Sequence, residues 1–299
     1  MPTLLRPKTA TTLLVFLKEA LSDWRPKTIK ERLQRGCITV NGEVVTHHGF
    51  ELQENDAIEI HSSSVRATMP KGGIQVLYQD ESLVGIFKPE GLLSVGTDQV
   101  RQKHALAMVR EALGPNQKVW PVHRLDRETS GVLLFARSKE ACEAVKNRWH
   151  EVTKTYSAVV EGHPTPARGL IDQPLFDDKN LMVRVRAHAE AKEARTHYTT
   201  QKTGPQRALL EVNLDTGRRH QIRAHMTWLG HPVVGDSRYG QKDSRMALHA
   251  RLLSFPHPVT DEEIRLEAKV PAVFTKMLDG SPKPKKHPGR TTKKSKKTR

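Results

Sequence analysis

The sequence HRLDRETSG at residues 123–131, followed by VLLFA at residues 132–136, decides the fold of this chain. The five consecutive apolar residues predict a buried strand, and the charged residues before them predict an irregular segment. Asp126 lies between Arg124 and Arg127, and two permanent cations favour the ionised form of a carboxylate. An ionised carboxylate held beside a rigid strand can act as a nucleophile or a base. The alternative is that Asp126 serves only in a structural ion pair or a turn.

The charge of the chain points to a polyanionic partner. The 299 residues carry a formal net charge of +16, and residues 281–299 contain seven Lys and two Arg without any acid. Residues 1–64 hold eight basic and eight acidic residues, so the rest of the positive charge lies in residues 65–280. This distribution favours nucleic acid as the partner. Residues 279–299 are predicted to form a disordered basic tail, which alternatively only adds solubility.

The sequence also argues against several other classes of protein. Cys37 and Cys142 form neither a CxxC pair nor a zinc-ligand spacing, which favours a reduced, cytoplasmic protein without a structural metal. The chain has no run of 18 apolar residues for a membrane helix, and its first residues lack the apolar region of a signal peptide. It contains no GxGxxG or P-loop string, so no cofactor is expected.

Residues 1–64 predict a small αβ module. Leucines at helical spacing predict a helix over residues 11–21, and Pro26 suits the first position of a second helix. Residues 38–44, ITVNGEV, predict a hairpin because Asn-Gly favours a type I′ turn. Residues 57–61 alternate between apolar and polar side chains, as a strand does.

This order of helix, basic helix, hairpin and strand resembles the S4-type RNA-binding domain. The resemblance implies that the second helix and its adjoining loop face RNA. The acids of the module lie mostly within residues 43–59, away from these bases, which favours contacts to phosphates rather than to nucleotide bases. The alternative is an amphipathic helix with a solvated basic face. The basic side chains on the predicted RNA-facing side are Arg25, Lys27, Lys30 and Arg35.

Residues 65–73 predict a linker, and a second, larger domain is predicted over residues 74–278. Its helices and strands mix without strict βαβ alternation, which favours an α+β fold with a mixed, largely antiparallel sheet. Residues 163–180 are rich in Pro and Asp and predict an exposed insertion. The predicted strands include residues 84–87, 132–136, 155–160, 207–214 and 264–270, and the predicted helices are residues 103–113 and a segment capped by Ser138.

Four segments of the second domain resemble the pseudouridine synthases of the RluA type. Residues 123–131 match the HRLD-x-x-TSG motif of this family, and residues 88–92 resemble its KP-x-G-L segment. Residues 154–162 resemble its K-x-Y-x-A-x-V-x-G strand, and residues 216–240 resemble its TGR-x-HQIR-x-H and GD-x-x-YG segments. The resemblance implies the pseudouridine synthase fold and an isomerase that converts uridine to pseudouridine within RNA, without a cofactor.

The resemblance also implies roles for single residues. Asp126 is the implied catalytic residue, Arg223 its ion-pair partner, and Tyr156 the ring that stacks on the target base. Whether Asp126 attacks C1′, attacks C6 or removes a proton stays open. Alternatively, Arg223 could pair with Glu211 or Asp215, and Tyr156 could be an ordinary strand aromatic. The other residues expected to line the RNA path are His123, Arg124, Arg127, Arg218 and His220.

We expect a monomer that acts in the cytoplasm on large-subunit ribosomal RNA, with transfer RNA as the alternative substrate. Two other classes stay open. One is an RNA-binding or assembly factor in which the fold serves only as a platform. The other is a glycosidase, which needs a second carboxylate roughly 5 Å from Asp126. No metal is expected, because His220 and His225 lack the i, i+4 spacing of a zinc-binding helix.

Overall fold

The computed structural model describes most of the chain between Thr3 and Gly280. The predicted linker at residues 65–73, the basic segment at residues 281–299 and Arg35 lie outside the described residues. The described ranges are residues 3–34, 36–41, 43–45, 48–61, 74–96, 104–114, 117–178 and 182–280.

The N-terminal module, residues 3–61, combines a small antiparallel sheet with two helices. Within its described residues the sheet has the order β1-β6-β3-β4, and β2 pairs with β5. Leu13 and Leu17 are four residues apart and therefore lie on one face of α1. Both are buried in an apolar cluster that also contains Ile29 of α2 and residues of the sheet. The elements are β1 (Thr3–Leu5), β2 (Thr11–Thr12), α1 (Leu13–Ala20), α2 (Pro26–Gln34), β3 (Ile38–Val40), β4 (Glu43–Val44), β5 (Glu51–Leu52) and β6 (Ile58–Ile60).

The elements of this module follow the sequence pattern with one difference. Helix α2 begins at Pro26, and Asn41 has a φ of +51°, as predicted for the hairpin turn. Gly42 of that turn lies outside the described residues. The first helix is shorter than predicted because the threonines of β2 pair with β5, and β-branched residues favour extended backbone.

Residues 74–280 form the larger part of the structure. Its strands are β7 (Gln75–Gln79), β8 (Leu83–Lys88), β9 (Trp120–Pro121), β10 (Ser130–Ala136), β11 (Thr153–Glu161), β12 (Arg168–Asp172), β13 (Leu175–Asp177), β14 (Val183–Val185), β15 (Arg195–Thr203), β16 (Arg207–Leu214), β17 (Leu248–Pro256) and β18 (Glu263–Glu267). Its helices are α3 (Ala105–Leu113), α4 (Lys139–Asn147), α5 (Gln221–Trp228) and α6 (Val273–Asp279), with a 3₁₀ turn at Trp149–Glu151.

One large sheet dominates this part of the molecule. Within the described residues it contains ten strands: eight lie on the path β12-β15-β16-β11-β17-β10-β8-β7, β18 pairs with β17, and β9 pairs with β10. These pairs are antiparallel except for β10 and β17, which run parallel. The predicted α+β fold with a mixed, largely antiparallel sheet is therefore confirmed.

Strand β10 lies inside this sheet and carries the apolar run that follows the HRLD segment. Strands β8 and β17 pair with its two edges, and all seven of its residues are buried. Val132 and Leu134 pack into an apolar cluster on one face of the sheet, and Leu133 and Phe135 pack into another on the opposite face. A strand covered on both faces has a continuous apolar sequence rather than an alternating one. The strand therefore provides a rigid support directly after Asp126.

Two helices of this part begin at side-chain caps. The hydroxyl of Ser138 accepts the backbone N–H of Ala141 at 3.0 Å, so the predicted cap of α4 is confirmed. Nδ1 of His104 accepts the N–H of Ala107 at 3.1 Å and starts α3 in the same way. Helix α3 therefore begins after His104, two residues later than predicted.

Residues 163–178, the described part of the predicted exposed insertion, are exposed at eight of 16 positions, but they form strands of the domain rather than a loop insertion. Strand β12 pairs with β15 at the edge of the large sheet, and β13 pairs with β14. Ile171 and Leu175 are buried, because they pack with Met226 and Ala224 of α5. The Pro and Asp residues that suggested a loop are interspersed among these core side chains.

Gly131→Ala tests the close approach between β10 and β17. Gly131 has a φ of +123°, and an added Cβ would lie 2.1 Å from the carbonyl oxygen of Ala250. Because neither backbone can give way cheaply, we expect the free energy of unfolding to fall by about 3 kcal/mol or more. Urea unfolding of the purified protein measures this loss.

Gly114→Ala is the matched control. Gly114 also has a positive φ, +106°, but among the described residues an added Cβ would meet nothing within 4 Å. Only backbone strain remains, so we expect a loss of about 1 kcal/mol. Equal losses for the two variants would contradict the importance of the contact with Ala250.

Candidate active site

Asp126 lies on a short irregular segment that hydrogen bonds hold in place. The hydroxyl of Ser94 donates to the carbonyl of Leu125 at 2.8 Å and accepts the N–H of the same residue at 3.0 Å. The N–H of Thr129 donates to the carbonyl of Asp126 at 3.1 Å. The carboxylate itself is 24% exposed. The segment thus presents a partly accessible carboxylate from a fixed backbone.

Lys88 holds the backbone on the other side of Asp126. This lysine is completely buried, and its ammonium donates to the carbonyls of Pro89 at 3.0 Å, Leu92 at 2.7 Å and Arg127 at 3.1 Å. Burial lowers the pKa of Lys88 to about 8, although the negative charge of Asp126 acts to raise it. The KP-x-G-L segment is therefore joined to the Asp126 segment through one ammonium group.

The guanidinium of Arg223 lies between two carboxylates. Its NH1 donates to Oδ2 of Asp126 at 2.9 Å. Its Nε and NH2 donate to Oδ2 and Oδ1 of Asp236 at 2.6 and 2.9 Å. Arg223 is 5% exposed and Asp236 is 1% exposed. Because a bidentate pair has a fixed geometry, Asp236 orients the guanidinium that Arg223 presents to Asp126.

This geometry decides between the alternatives left by the sequence. Glu211 instead bonds to Arg251 at 2.7 Å, and Asp215 instead bonds to His197 at 3.0 Å, so neither is the partner of Arg223. The charged group in direct contact with Asp126 is a guanidinium, which does not fit the carboxylate pair of a glycosidase.

Gln221 and His225 of α5 attach the helix to neighbouring segments, including β15 of the large sheet. Oε1 of Gln221 accepts from the hydroxyl of Thr216 and from the N–H of Arg218, both at 2.9 Å. Its Nε2 donates to the hydroxyl of Thr196 of β15 at 3.0 Å, and Nδ1 of His225 lies 2.8 Å from the same hydroxyl. These contacts fix the direction in which Arg223 leaves the helix.

The partly buried ring of Tyr156 packs against two separate apolar clusters of the larger part of the chain. Its position is set by β11, where it pairs with Val212 on one side and Ala250 on the other. Burial raises the pKa of Tyr156, and the negative charge of Asp126 raises it further. The phenol therefore stays protonated at neutral pH and lies within electrostatic range of the carboxylate.

The three arginines predicted to line the RNA path all have exposed side chains. Arg124 and Arg127 flank Asp126 in the sequence, and Nε of Arg127 donates to the carbonyl of Gly91 at 3.1 Å. Arg218 precedes α5, and its Nε donates to the carbonyl of Glu193 at 2.9 Å. Their remaining N–H groups are exposed donors suited to phosphate.

His123 has a different position from the one predicted. Its Nε2 accepts the backbone N–H of Leu134 at 3.1 Å, and its ring lies 5.3 Å from the ring of Trp149. Burial lowers the pKa of His123 to about 4, with a further lowering by Lys154. A neutral imidazole that accepts an internal hydrogen bond is a poor phosphate ligand, so the structure argues against an RNA contact here.

The basic residues of the N-terminal module differ in their surroundings. Arg25 and Lys27 are exposed at the start of α2. The ammonium of Lys30 lies 3.1 Å from a carboxylate oxygen of Glu262, between β17 and β18. Lys30 thus contributes to a contact between the module and the larger part of the chain, while Arg35 lies outside the described residues.

The sequence reasoning missed Asp236, Lys88 and Gln221 as parts of this site. Each of these residues lies in one of the family segments quoted above. A sequence motif, however, does not show which side chains contact one another.

Within the described residues, no group of three or more His, Cys, Asp or Glu side chains could hold a metal ion. In the same part of the chain no helix is long and apolar enough to cross a membrane.

Comparison with known proteins identifies the family of this chain. A model of the RNA pseudouridylate synthase family matches residues 82–228. An uncharacterised RNA pseudouridine synthase of Bacillus subtilis, YhcT, is 32% identical, covering 87% of this chain and 90% of its own. The ribosomal large subunit pseudouridine synthase D of Vibrio cholerae is 30% identical over 87% of each chain. The tRNA pseudouridine synthase C of Haemophilus ducreyi is 35% identical, covering 65% of this chain and 90% of its own.

A solved structure shows the same fold. Human RNA Pseudouridylate Synthase Domain Containing 4 has a TM-score of 0.57 and 30% identity, covering 67% of this chain and 90% of that chain. This chain therefore belongs to the RNA pseudouridine synthase family, in its RluA branch, and is an isomerase that converts uridine to pseudouridine. The fold expected from the HRLD and TGR segments is confirmed.

Asp236→Asn tests whether Asp236 orients Arg223. The amide keeps the size of the side chain but leaves the buried guanidinium with one carboxylate fewer. We expect the free energy of unfolding to fall by about 3 kcal/mol. We also expect the single-turnover rate of pseudouridine formation to fall about tenfold or more, because the guanidinium loses its fixed orientation.

Asp261→Asn provides the control for this prediction. Asp261 also pairs with an arginine, Arg148 at 2.5 Å, but it is 75% exposed and lies outside the site. Its loss should cost less than about 1 kcal/mol and leave the rate unchanged. A rate for Asp236→Asn equal to that of the control would show that Asp236 does not orient Arg223.

Proposed function

We propose that Asp126 performs the isomerisation, with Arg223 and Tyr156 as its partners. The observation that carries this proposal is the 2.9 Å contact between the buried guanidinium and a carboxylate on a fixed, partly exposed segment. In the reaction the C1′–N1 bond of uridine breaks, the uracil turns, and a C1′–C5 bond forms. The proton that leaves C5 is balanced by one gained at N1, so no atom is lost and no cofactor is consumed.

The environment of Asp126 suits this chemistry. Arg223 pairs with the ionised carboxylate, so Asp126 enters the reaction as an anion that can attack carbon or accept a proton. The ring of Tyr156 offers a face for the uracil, and its hydroxyl stays protonated and can donate a hydrogen bond. In this proposal the carboxylate of Asp126 reacts with the nucleotide, and the ring of Tyr156 orients the uracil base.

We propose that RNA lies across the exposed bases around this carboxylate. Arg124, Arg127 and Arg218 would hold the phosphates on either side of a target nucleotide that has left its stack. An S4-like N-terminal module would extend this path through Arg25 and Lys27 of α2. Such contacts depend on charge and not on base identity, so they would supply affinity, while Asp126 and Tyr156 would supply recognition of uridine.

Large-subunit ribosomal RNA is the proposed substrate. The matched ribosomal RNA enzyme covers 87% of this chain, which must include part of residues 1–64. The matched transfer RNA enzyme covers 65% of this chain, which need not include any of that module. The module therefore supports ribosomal RNA, with transfer RNA as the alternative. We further propose a cytoplasmic monomer, in line with two buried cysteines, Cys37 and Cys142, that are not joined to each other in a disulfide.

Asp126→Asn tests the catalytic assignment. The amide cannot act as an anionic nucleophile or base, so we expect no detectable pseudouridine in large-subunit ribosomal RNA, while RNA affinity stays within about twofold. Pseudouridine mapping in ribosomal and transfer RNA, with and without the protein, measures the product and identifies the substrate. Glu128→Gln is the control, since it removes an exposed carboxylate two residues away. A folded Asp126→Asn protein with normal activity would refute the assignment.

Removal of residues 281–299 tests the role of the basic tail. Its nine basic residues are expected to bind phosphates, so the truncated protein should bind RNA more weakly. The slope of log affinity against log salt should fall by about 0.7–0.9 for each phosphate that the truncated protein no longer neutralises. Titrations at several salt concentrations measure this slope, and an unchanged slope would leave the tail without a role in binding.

A further inference from the structure

His220 adopts an unusual backbone conformation beside the proposed catalytic carboxylate. Its φ is +51°, in the left-handed region that residues other than glycine rarely occupy. It precedes α5 as the N-cap residue, yet its side chain makes no capping hydrogen bond. The imidazole instead lies with Nε2 3.8 Å from Oδ2 of Asp126. Strained backbone of this kind persists where the surrounding structure holds a side chain in place.

Tyr239 determines how the imidazole of His220 is oriented. The phenol oxygen lies 3.0 Å from Nδ1 of His220 and also accepts the N–H of Val183 of β14 at 2.9 Å. Because the oxygen accepts from Val183, its own hydrogen is available for Nδ1. This places the proton of the neutral imidazole on Nε2, the nitrogen nearest to Asp126. The two rings meet edge to face, with centroids 5.6 Å apart.

The protonation of both rings agrees with this network. Burial lowers the pKa of His220. The negative charge of Asp126 acts in the opposite direction, and the positive charge of Arg223 lowers the pKa further. Burial likewise raises the pKa of Tyr239. At neutral pH the imidazole is therefore uncharged and the phenol keeps its hydrogen, so the donor order runs from Tyr239 to His220 and from His220 toward Asp126.

His220 and Arg223 approach the same oxygen of Asp126. Arg223 donates to Oδ2 at 2.9 Å, and Nε2 of His220 lies 3.8 Å from that atom. The second distance is longer than a hydrogen bond, but catalytic contacts often shorten when substrate binds. In the part of the chain that the structure describes, Oδ2 accepts the hydrogen bond of Arg223, whereas Oδ1 accepts none. The two oxygens of the carboxylate are therefore not equivalent.

We propose that His220 is a positioning residue that, together with Arg223, holds Oδ2 of Asp126 and leaves Oδ1 as the oxygen that reacts with uridine. The proposal rests on the catalytic role of Asp126 proposed above. It replaces the expectation from the sequence that His220 contacts RNA, because the side chain is only 11% exposed and is directed inward. Tyr239 acts through His220 by fixing the position of its proton.

His220→Asn is the first test. Asparagine is among the residues that best tolerate a positive φ, so the backbone is kept while Nε2 is lost. We expect the single-turnover rate constant to fall about tenfold, with KM and RNA affinity within about twofold. His220→Gly accepts the same φ without strain, and added imidazole should restore part of its rate. Urea unfolding confirms that both variants are folded.

Tyr239→Phe is the second test, because it keeps the ring against Arg223 and removes only the hydroxyl. We expect a fall in rate of about threefold to tenfold. If Tyr239 acts through His220, the double variant with His220→Asn should be no slower than His220→Asn alone. Rates that multiply in the double variant would overturn this coupling.

The outcomes separate this proposal from the one on which it rests. A higher KM and weaker RNA binding at an unchanged rate in His220→Asn would make His220 an RNA contact and overturn its positioning role. A normal rate in His220→Asn, with Asp126→Asn inactive, would likewise overturn the His220 proposal and leave Asp126 catalytic. An active Asp126→Asn protein would instead refute the role of Asp126 itself.

Discussion

The site depends on one buried guanidinium shared by two carboxylates. Burying the charge of Arg223 is costly unless its N–H groups are paired. Asp236, whose side chain is almost completely buried, pairs with two of them, and Asp126 pairs with a third from the segment before β10. Three distant parts of the chain are thereby brought to one point. The carboxylate that remains partly accessible is the one on which RNA chemistry can act.

The segment that carries Asp126 is irregular but firmly held. Ser94 pairs with both backbone groups of the residue before it, and the buried ammonium of Lys88 pairs with the carbonyl of the residue after it. A loop supported in this way combines exposure of a side chain with a defined position, which catalysis requires. The left-handed conformation of His220 is a second case, in which neighbouring contacts hold a strained residue beside the same carboxylate.

Much of this could be predicted from local sequence. The apolar run of β10, the cap at Ser138 and the proline at the start of α2 follow from side-chain chemistry and spacing. The two strands in residues 163–180 could not be predicted, because polar and turn-forming residues surround the few apolar positions that the core uses. Likewise, the internal hydrogen bond of His123 depends on Leu134, eleven residues away on β10, and no pattern marks that contact.

The sequence by itself determined the family, the reaction, and Asp126, Arg223 and Tyr156 as candidates for the site. A motif can identify a family and its reaction because it specifies residue types at positions where few other side chains could perform the same chemistry. Only the tertiary structure decided that Asp236 is the second partner of Arg223 and that His220 faces inward toward Asp126. Both depend on distances between segments far apart in the chain, and those distances arise from sheet pairing and core packing rather than from local sequence.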